Sequence, residues 1–206
     1  MSVRGASDAP ARAQSSQDDG AQGLFVAIVG PSGAGKDTLI GGLRRDLGER
    51  EGVHYARRVV TRDADAFEDH ETLGEGEFLR AREGGRFALA WLAHGLFYGV
   101  PGQVDEWIAH GRVVVCNVSR AVVANVRARY PHSLVVLVTA KPDTLAARLA
   151  ARGREGEEGR RERLARSASS DVALEADAVI DNDGVVEDAV RRLRDLILAR
   201  AAELRR

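Results

Sequence analysis

The stretch LFVAIVGPSGAGKDTLIGGLRRDL, residues 24–47, decides the fold that this sequence predicts. Its first six residues are an unbroken apolar run, which is typical of a strand buried on both faces of a parallel sheet. A glycine-rich turn follows, and apolar side chains then return at helical spacing at Leu39, Ile40, Leu43 and Leu47. A buried strand, a glycine-rich loop and an amphipathic helix, in that order, predict an α/β domain that binds phosphate at the loop.

The glycine-rich turn GPSGAGK, residues 30–36, matches the phosphate-binding pattern G-x-x-x-x-G-K known as Walker A. Its glycines allow backbone angles that a Cβ forbids, so successive N–H groups can point at one anion beside the positive end of the next helix. The lysine of the pattern, Lys36, is expected to contact the β- and γ-phosphates of ATP and to act in catalysis. The strand before the turn and the helix after it argue against a chance glycine-rich turn. The predicted ATP-binding residues of this loop are Gly30, Pro31, Ser32, Gly33, Ala34, Gly35, Lys36, Asp37 and Thr38.

The residue after Lys36 departs from the pattern. Walker A has a Ser or Thr there, which binds Mg²⁺, whereas this sequence has Asp37 followed by Thr38. Asp37 holding the metal through water and Thr38 taking over the role are both open, so both residues are candidate metal ligands. The predicted cofactors are ATP and Mg²⁺. Lysine usage supports the loop assignment, because the chain keeps only Lys36 and Lys141 among 30 basic residues, and Lys supplies a compact point charge.

Length and composition bound the remaining possibilities. The 206 residues, 44% hydrophobic and 30% charged, fit one compact globular domain. A net charge of -1 supplies no overall positive field, so binding to nucleic acid or to an anionic membrane is not predicted. No segment approaches the roughly 20 apolar residues that span a bilayer. The single cysteine, Cys116, excludes an intrachain disulfide, and its apolar run VVVC predicts a buried core residue.

The first 22 residues have almost no large apolar side chain, so they are interpreted as a disordered tail, and residues 23–206 as the domain. The tail mixes acidic and basic residues and lacks an apolar stretch, which predicts no targeting signal and a cytoplasmic location. The oligomeric state is not indicated by any feature of the sequence.

Further apolar runs at residues 113–116, 134–138 and, more weakly, 178–180 predict additional buried strands. Helical spacing recurs between and after them, and strands alternating with helices predict a three-layer α/β domain with a mostly parallel sheet. Two segments break this pattern. Residues 61–111 are polar, glycine-rich and aromatic, and are interpreted as an inserted substrate-binding region. Residues 151–166 are almost entirely charged, which is typical of a solvated helical face.

The order of several short motifs resembles the guanylate-kinase superfamily over residues 24–183. These motifs are VVTR at 59–62, F-x-x-x-W at 87–91, GLFYGV at 95–100, RLAARGREGEE at 148–158 and VIDND at 179–183. The segments GPSGAGKD, EDH, FALAW, AHGLFYGV and CNVSR are most similar to one branch, the ribose 1,5-bisphosphate phosphokinases. The resemblance implies a P-loop kinase fold with a mobile arginine-rich lid at residues 151–166 and an acceptor-binding insertion at residues 61–111.

Departures from the guanylate kinases separate the two branches. No second arginine comes shortly after Arg62, whereas guanylate kinases use such a pair to hold the GMP phosphate. Leu89 and Val100 stand where the resemblance places a guanine-reading acid and a threonine, and Ser119 replaces an acidic residue after the next strand. A site without these hydrogen-bonding groups would leave a buried guanine edge unpaired, so a non-guanine acceptor is expected.

The resemblance also implies roles for individual residues. Arg152, Arg154 and Arg163 are expected to be catalytic residues of the lid, and Arg148 to contact the nucleotide. Arg62 is expected to bind the acceptor phosphate. Further candidates for the acceptor site, with plain surface exposure or packing as the alternative for each, are Glu68, Asp69, His70, His94 and Tyr98.

The expected activity is transfer of the ATP γ-phosphate to the 1-phosphate of ribose 1,5-bisphosphate, a small-molecule sugar bisphosphate. By themselves the motifs indicate only a P-loop phosphotransferase with a non-guanine acceptor. Two alternatives stay open at this point: a nucleoside monophosphate kinase of the same superfamily, and a non-catalytic guanylate-kinase-like binding module. The intact loop and the arginine-rich segment argue against the module, because a pure binder needs neither.

Overall fold

The computed structural model describes residues 22–48, 52–63, 69–93, 95–151 and 175–206. Within these residues the strands are β1 (Leu24–Val29), β2 (Val53–Tyr55), β3 (Arg58–Val60), β4 (His70–Thr72), β5 (Phe87–Ala93), β6 (Leu96–Pro101), β7 (Val113–Asn117), β8 (Ser133–Thr139) and β9 (Ala178–Asp181). The helices are α1 (Lys36–Leu47), α2 (Glu75–Glu83), α3 (Gln103–Ala109), α4 (Val123–Arg129), α5 (Pro142–Ala151) and α6 (Val186–Glu203), with a 3₁₀ turn at Arg120–Val122.

The main sheet confirms the parallel arrangement predicted from the apolar runs. Its five strands lie in the order β2-β7-β1-β8-β9, and every neighbouring pair is parallel. All six residues of the central strand β1 are buried, as expected for a strand covered on both faces. Parallel strands also end at the same edge, so the loops that follow β1 and β7 meet there.

Alternate residues of β1 face two apolar layers. Val26 and Ile28 pack with α1, α5 and α6 in one cluster, whereas Phe25 and Ala27 pack with α3 and α4 in the other. The structure is therefore a three-layer α/β domain, as predicted.

A second, smaller sheet lies in the order β4-β3-β6-β5 and draws its strands from residues 58–101. The β3–β4 pair is parallel, and β6 is antiparallel to both β3 and β5. One face of this sheet packs on α2 through a cluster of Val59, Leu73 and Phe78. The other face contributes Leu89 and Val100 to the main core. This sheet occupies most of the segment interpreted as an insertion.

Two predictions fall largely outside the described residues: the disordered tail at 1–22 and the lid at 151–166. None of the helices in the described part of the chain has the length and apolar character needed to cross a bilayer.

Candidate active site

The loop between β1 and α1 adopts the backbone that the glycine pattern predicts. Gly30, Gly33 and Gly35 have φ angles of 146°, 85° and 88°, a region that side chains with a Cβ rarely adopt. Space is also restricted, because a Cβ on Gly30 would lie 2.1 Å from the carbonyl oxygen of Val138. Gly30 therefore requires glycine for two independent reasons.

The N-terminus of α1 has the features of an anion-binding site. The helix begins at Lys36, and Gly35 at the N-cap supplies no side-chain hydrogen bond to the first N–H groups. These donors and the positive helix end form a phosphate-binding arrangement. The Lys36 ammonium donates to the carbonyl oxygens of Gly30 and Pro31, both at 2.9 Å, so it lies over the cradle of the loop.

Two side chains from distant elements brace the loop. Asn182, which is 2% exposed and follows β9, donates from Nδ2 to the Ala34 carbonyl oxygen at 2.7 Å. Arg148 of α5 donates to the Asn182 carbonyl oxygen at 2.9 Å and lies 3.4 Å from the Gly33 carbonyl oxygen. Arg148 was expected near the nucleotide, and the structure places it against the loop. In the sequence, the NDG run after the last strand marks Asn182 either as a contact of the nucleotide base or as part of an ordinary turn, and neither interpretation predicts its hydrogen bond to the loop.

Asp37 and Asn117 meet at the edge where β1 and β7 end. Asn117 is the last residue of β7 and is paired in register with Ile28 of β1. Its Nδ2 donates to Asp37 Oδ1 at 2.8 Å. Thr38, the other metal candidate, is exposed. Asn117 was missed, although a polar residue directly after an apolar strand is a recognisable sign of a ligand edge in an α/β sheet.

The side chains at this edge of the sheet could bind a cation that retains water molecules as ligands. Among the described residues no group of three or more His, Cys, Asp or Glu side chains could enclose a metal ion. A single carboxylate beside a phosphate cradle fits Mg²⁺, which binds through one or two carboxylates, substrate phosphates and water.

The small sheet presents Arg58 and Tyr98 towards the same edge. The Arg58 side chain is 11% exposed, and its terminal nitrogen lies 3.9 Å from Asp37 Oδ1. Its guanidinium carbon lies 6.0 Å from the centroid of the Tyr98 ring, which stacks on Trp91 at 5.4 Å. Tyr98 was among the candidates, and Arg58 was missed because nothing in the run ARRVV separates it from its exposed neighbour.

Arg62, the expected acceptor-phosphate residue, follows β3 in a fixed turn. Its carbonyl oxygen accepts hydrogen bonds from His70 Nε2 at 2.9 Å and from Thr72 Oγ1 at 3.0 Å. His70 is 1% exposed, so the structure places it beneath the Arg62 turn as a supporting residue.

Asp69 lies on the surface, 60% exposed, and forms ion pairs with Arg57 at 2.6 Å and Arg44 at 3.6 Å. This placement corresponds to the surface alternative considered for it. The remaining candidates lie outside the described residues: Glu68, His94, Arg152, Arg154 and Arg163.

The two positions compared with guanine-reading residues are apolar and buried. Leu89 and Val100 are directly paired between β5 and β6, 7% and 0% exposed, and both belong to the main core. Ser119 forms a hydrogen bond with its own turn, in which its Oγ accepts from the Ala121 N–H at 3.3 Å. Leu89 and Val100 therefore offer no hydrogen-bonding side chain for a base.

Cys116 is buried in β7, as predicted, and burial raises the pKa of its thiol to about 12. A thiol that stays protonated and shielded at neutral pH is a core residue and not a nucleophile.

Several known proteins are similar to this chain over most of its length. A protein-family model described as AAA domain matches residues 26–171. The chain is 47% identical to the ribose 1,5-bisphosphate phosphokinase PhnN of Brucella melitensis over 171 residues, which cover 82% of this chain and 89% of the relative. It is 49% identical to the protein of the same name from Acidiphilium cryptum over 167 residues, which cover 81% and 88%.

Among solved structures, the guanylate kinase of Anaplasma phagocytophilum aligns with a TM-score of 0.68 at 20% identity, over 87% of this chain and 86% of that one. At this identity the likeness shows a shared fold and carries no information on the acceptor. The curated relatives are similar along most of their length, and so the chain belongs to the ribose 1,5-bisphosphate phosphokinase family, built on a guanylate-kinase-like P-loop fold.

Proposed function

We propose that this protein transfers the γ-phosphate of ATP to the 1-phosphate of ribose 1,5-bisphosphate, forming 5-phosphoribosyl 1-diphosphate and ADP. The observation that carries the proposal is an intact phosphate loop facing a small sheet whose base-reading positions, Leu89 and Val100, are buried and apolar. Relatives that are 43–49% identical and carry the name ribose 1,5-bisphosphate phosphokinase support this acceptor.

The reaction places few chemical demands on the protein. An oxygen of the acceptor 1-phosphate attacks the γ-phosphorus, the bond from that phosphorus to the β-phosphate oxygen breaks, and ADP leaves. The attacking phosphate is already anionic at neutral pH, so no general base is required. Positioning and positive charge are therefore the main contributions of the chain.

In the proposed cycle, Lys36 exchanges its bonds to the Gly30 and Pro31 carbonyl oxygens for the β- and γ-phosphates when ATP binds. The loop N–H groups hold the same phosphates, and Asn182 and Arg148 keep the loop in shape. The lid arginines Arg152, Arg154 and Arg163 belong to the proposal on the strength of the resemblance.

Mg²⁺ is the proposed metal, and it would neutralise charge on the β- and γ-phosphates. Asp37 is the favoured ligand over Thr38, because the Asn117 amide orients its carboxylate at the end of β7. Only Oδ1 of Asp37 accepts contacts from the described residues, which leaves its second oxygen able to face a hydrated ion.

The test is a panel of acceptors incubated with ATP and Mg²⁺: ribose 1,5-bisphosphate, ribose 5-phosphate, GMP, AMP and dUMP. ADP release gives the rate, and mass spectrometry identifies the product. Ribose 1,5-bisphosphate is expected to be the best acceptor. GMP is expected to be poorer by at least ~10⁴ in kcat/KM, the scale on which unpaired buried polar groups are rejected.

Comparable rates with GMP would contradict the proposal and return the protein to the nucleoside monophosphate kinases. The same conclusion follows if ribose 1,5-bisphosphate is not converted under conditions in which a nucleotide is. Absence of ATP turnover with every acceptor would favour the binding module.

A further inference from the structure

Arg58 is a largely buried cation with few partners. Its side chain is 11% exposed, and the nearest carboxylate oxygen, Asp37 Oδ1, is 3.9 Å away. That distance exceeds hydrogen-bond range. The Tyr98 ring, 6.0 Å from the guanidinium carbon, is its other charge-related contact. In the described part of the chain no hydrogen bond from the Arg58 side chain is found.

The exposed neighbour shows the opposite pattern. Arg57 is 57% exposed, yet it donates to Asp69 at 2.6 Å and to the His70 carbonyl oxygen at 3.0 Å. A guanidinium carries five N–H donors, and buried charges are normally hydrogen-bonded as well as paired. The less exposed member of this pair is therefore the one whose side-chain donors make no hydrogen bond within the described residues, and these donors are available to an anion that binds during function.

The position of Arg58 indicates which anion would bind to it. Val60 and Tyr98 are paired in register, and Arg58 lies two residues before Val60, so all three share one face of the small sheet. A row of side chains thus runs from Trp91 through Tyr98 to Arg58 and ends at Asp37, the residue after Lys36. Arg58 stands where the acceptor side of the site meets the phosphate loop.

We propose that Arg58 binds the acceptor phosphate that receives the γ-phosphate, and that Asp37 holds its side chain in place before the acceptor arrives. Arg62, which lies in the turn beyond the end of β3, then holds the second, distal phosphate. This inference rests on the proposed function and adds to it the residue that grips each phosphate of the sugar bisphosphate.

The physical reason is the meeting of two anions. Joining two phosphates requires positive charge between them, and a guanidinium can bind phosphate oxygens through two parallel N–H groups. Arg58 forms and breaks no covalent bond; it lowers the repulsion and fixes the acceptor oxygen near the γ-phosphorus. Its burial strengthens the contact, because the local dielectric constant is low.

The test compares Arg58→Ala, Arg58→Lys and Arg62→Ala with Arg57→Ala as the matched control. Three constants are measured: the KM for ribose 1,5-bisphosphate, the KM for ATP, and the Ki of ribose 5-phosphate, which lacks the reacting phosphate, as a competitor of the acceptor. Arg58→Ala is expected to raise the acceptor KM by on the order of 10- to 100-fold, the scale for charged hydrogen bonds. The KM for ATP is expected to stay within about threefold.

The two arginines are expected to separate by inhibitor. Arg62→Ala should raise the Ki of ribose 5-phosphate, whereas Arg58→Ala should leave it nearly unchanged. Arg58→Lys keeps the charge and loses the fork, so its acceptor KM should lie between those of wild type and Arg58→Ala. Arg57→Ala should resemble wild type. Should Arg58→Ala fail to fold by circular dichroism, Arg58→Lys carries the comparison alone.

An unchanged acceptor KM in folded Arg58 variants overturns the inference. An equal rise in the KM for ATP, or an equal rise in the Ki of ribose 5-phosphate, overturns it as well. If wild type uses a different phosphorylated acceptor, the proposed function fails, and the inference is judged by the KM of that acceptor in the same variants. If wild type phosphorylates only hydroxyl acceptors, both the proposed function and the inference about Arg58 are contradicted.

Discussion

Lys36 is the residue of the loop for which a catalytic role is proposed. Its ammonium lies 2.9 Å from two carbonyl oxygens of the loop that it closes, so it already occupies the phosphate cradle. Those carbonyl oxygens are weaker partners than phosphate oxygens, because a phosphate oxygen carries negative charge that attracts the ammonium and a carbonyl oxygen is neutral. The exchange of partners when ATP binds therefore favours the bound state.

Lys36→Ala is expected to lower kcat by on the order of 10² to 10³, the scale for losing one preorganised donor to the transition state. The fold should survive, because the side chain is only half-buried at the surface of the loop. The measurement is ADP release at saturating acceptor, with circular dichroism to verify folding. The matched control is Lys141→Ala, which removes the only other lysine, an exposed one. Near-normal turnover in folded Lys36→Ala would exclude the P-loop mechanism.

At the scale of elements, α1 connects the phosphate loop to the core through its contact with α6. Leu39 and Leu43 of α1 are fully buried in the cluster that also holds Leu193 and Ile197 of α6. The helix contains two adjacent glycines, Gly41 and Gly42, in different surroundings. The effect of adding a side chain at each glycine therefore depends on its position in the helix, since the residue type is the same.

Replacing these glycines by alanine is expected to have opposite effects. A Cβ on Gly42 would lie 2.5 Å from a methyl group of Val190, so Gly42→Ala should destabilise the protein by about 1–3 kcal/mol through overpacking. A Cβ on Gly41 meets nothing nearer than Arg45 at 3.8 Å, so Gly41→Ala should stabilise by roughly 0.5–1 kcal/mol. Urea unfolding of both variants tests this, and equal effects of the same sign would contradict the packing of α1 on α6.

The long elements could be predicted from the sequence because they carry repeated signals. The apolar run at 24–29 coincides with β1, and the runs at 113–116 and 134–138 fall within β7 and β8. The strands β2, β3 and β4 have three residues each, too few for a period to show. These strands form where the small sheet and the edge of the main sheet complete their hydrogen bonds, which is a tertiary effect.

The residues of the candidate site likewise fall into two groups: those that a sequence motif reveals and those that only the folded structure reveals. The phosphate loop is contiguous, so its residues are visible in a pattern. The contact between Asp37 and Asn117 spans 80 residues, and that between Asn182 and Ala34 spans 148. Arg57 and Arg58 are adjacent and of the same type, and only the pairing of β3 with β6 decides which one is buried. Such contacts become known only from the folded structure.

For the whole molecule, the question is whether the two sheets form one cooperative unit. Phe25 of the central strand β1 packs in the same cluster as Leu89 and Val100 of the small sheet. The two tryptophans report on different sides of that junction. Trp91 stacks on Tyr98 in the small sheet, and Trp107 stacks on His54 of β2 in the main sheet, at 4.6 Å. Shared apolar burial predicts that both sides unfold together.

The last prediction follows that cooperativity through nucleotide binding. In Trp107→Phe and Trp91→Phe, each of which keeps one tryptophan, the thermal midpoint from fluorescence should coincide with that from far-UV circular dichroism. ADP with Mg²⁺ at about 100 times its Kd should stabilise the fold by ~2.7 kcal/mol, which raises Tm by roughly 5–10 °C. ADP is proposed to bind at the loop of the main sheet, so an equal rise in the Trp91 midpoint would show that the small sheet is energetically part of the same unit. A Trp91 transition that occurs at lower temperature, and that ADP leaves unmoved, would instead mean that the small sheet unfolds on its own.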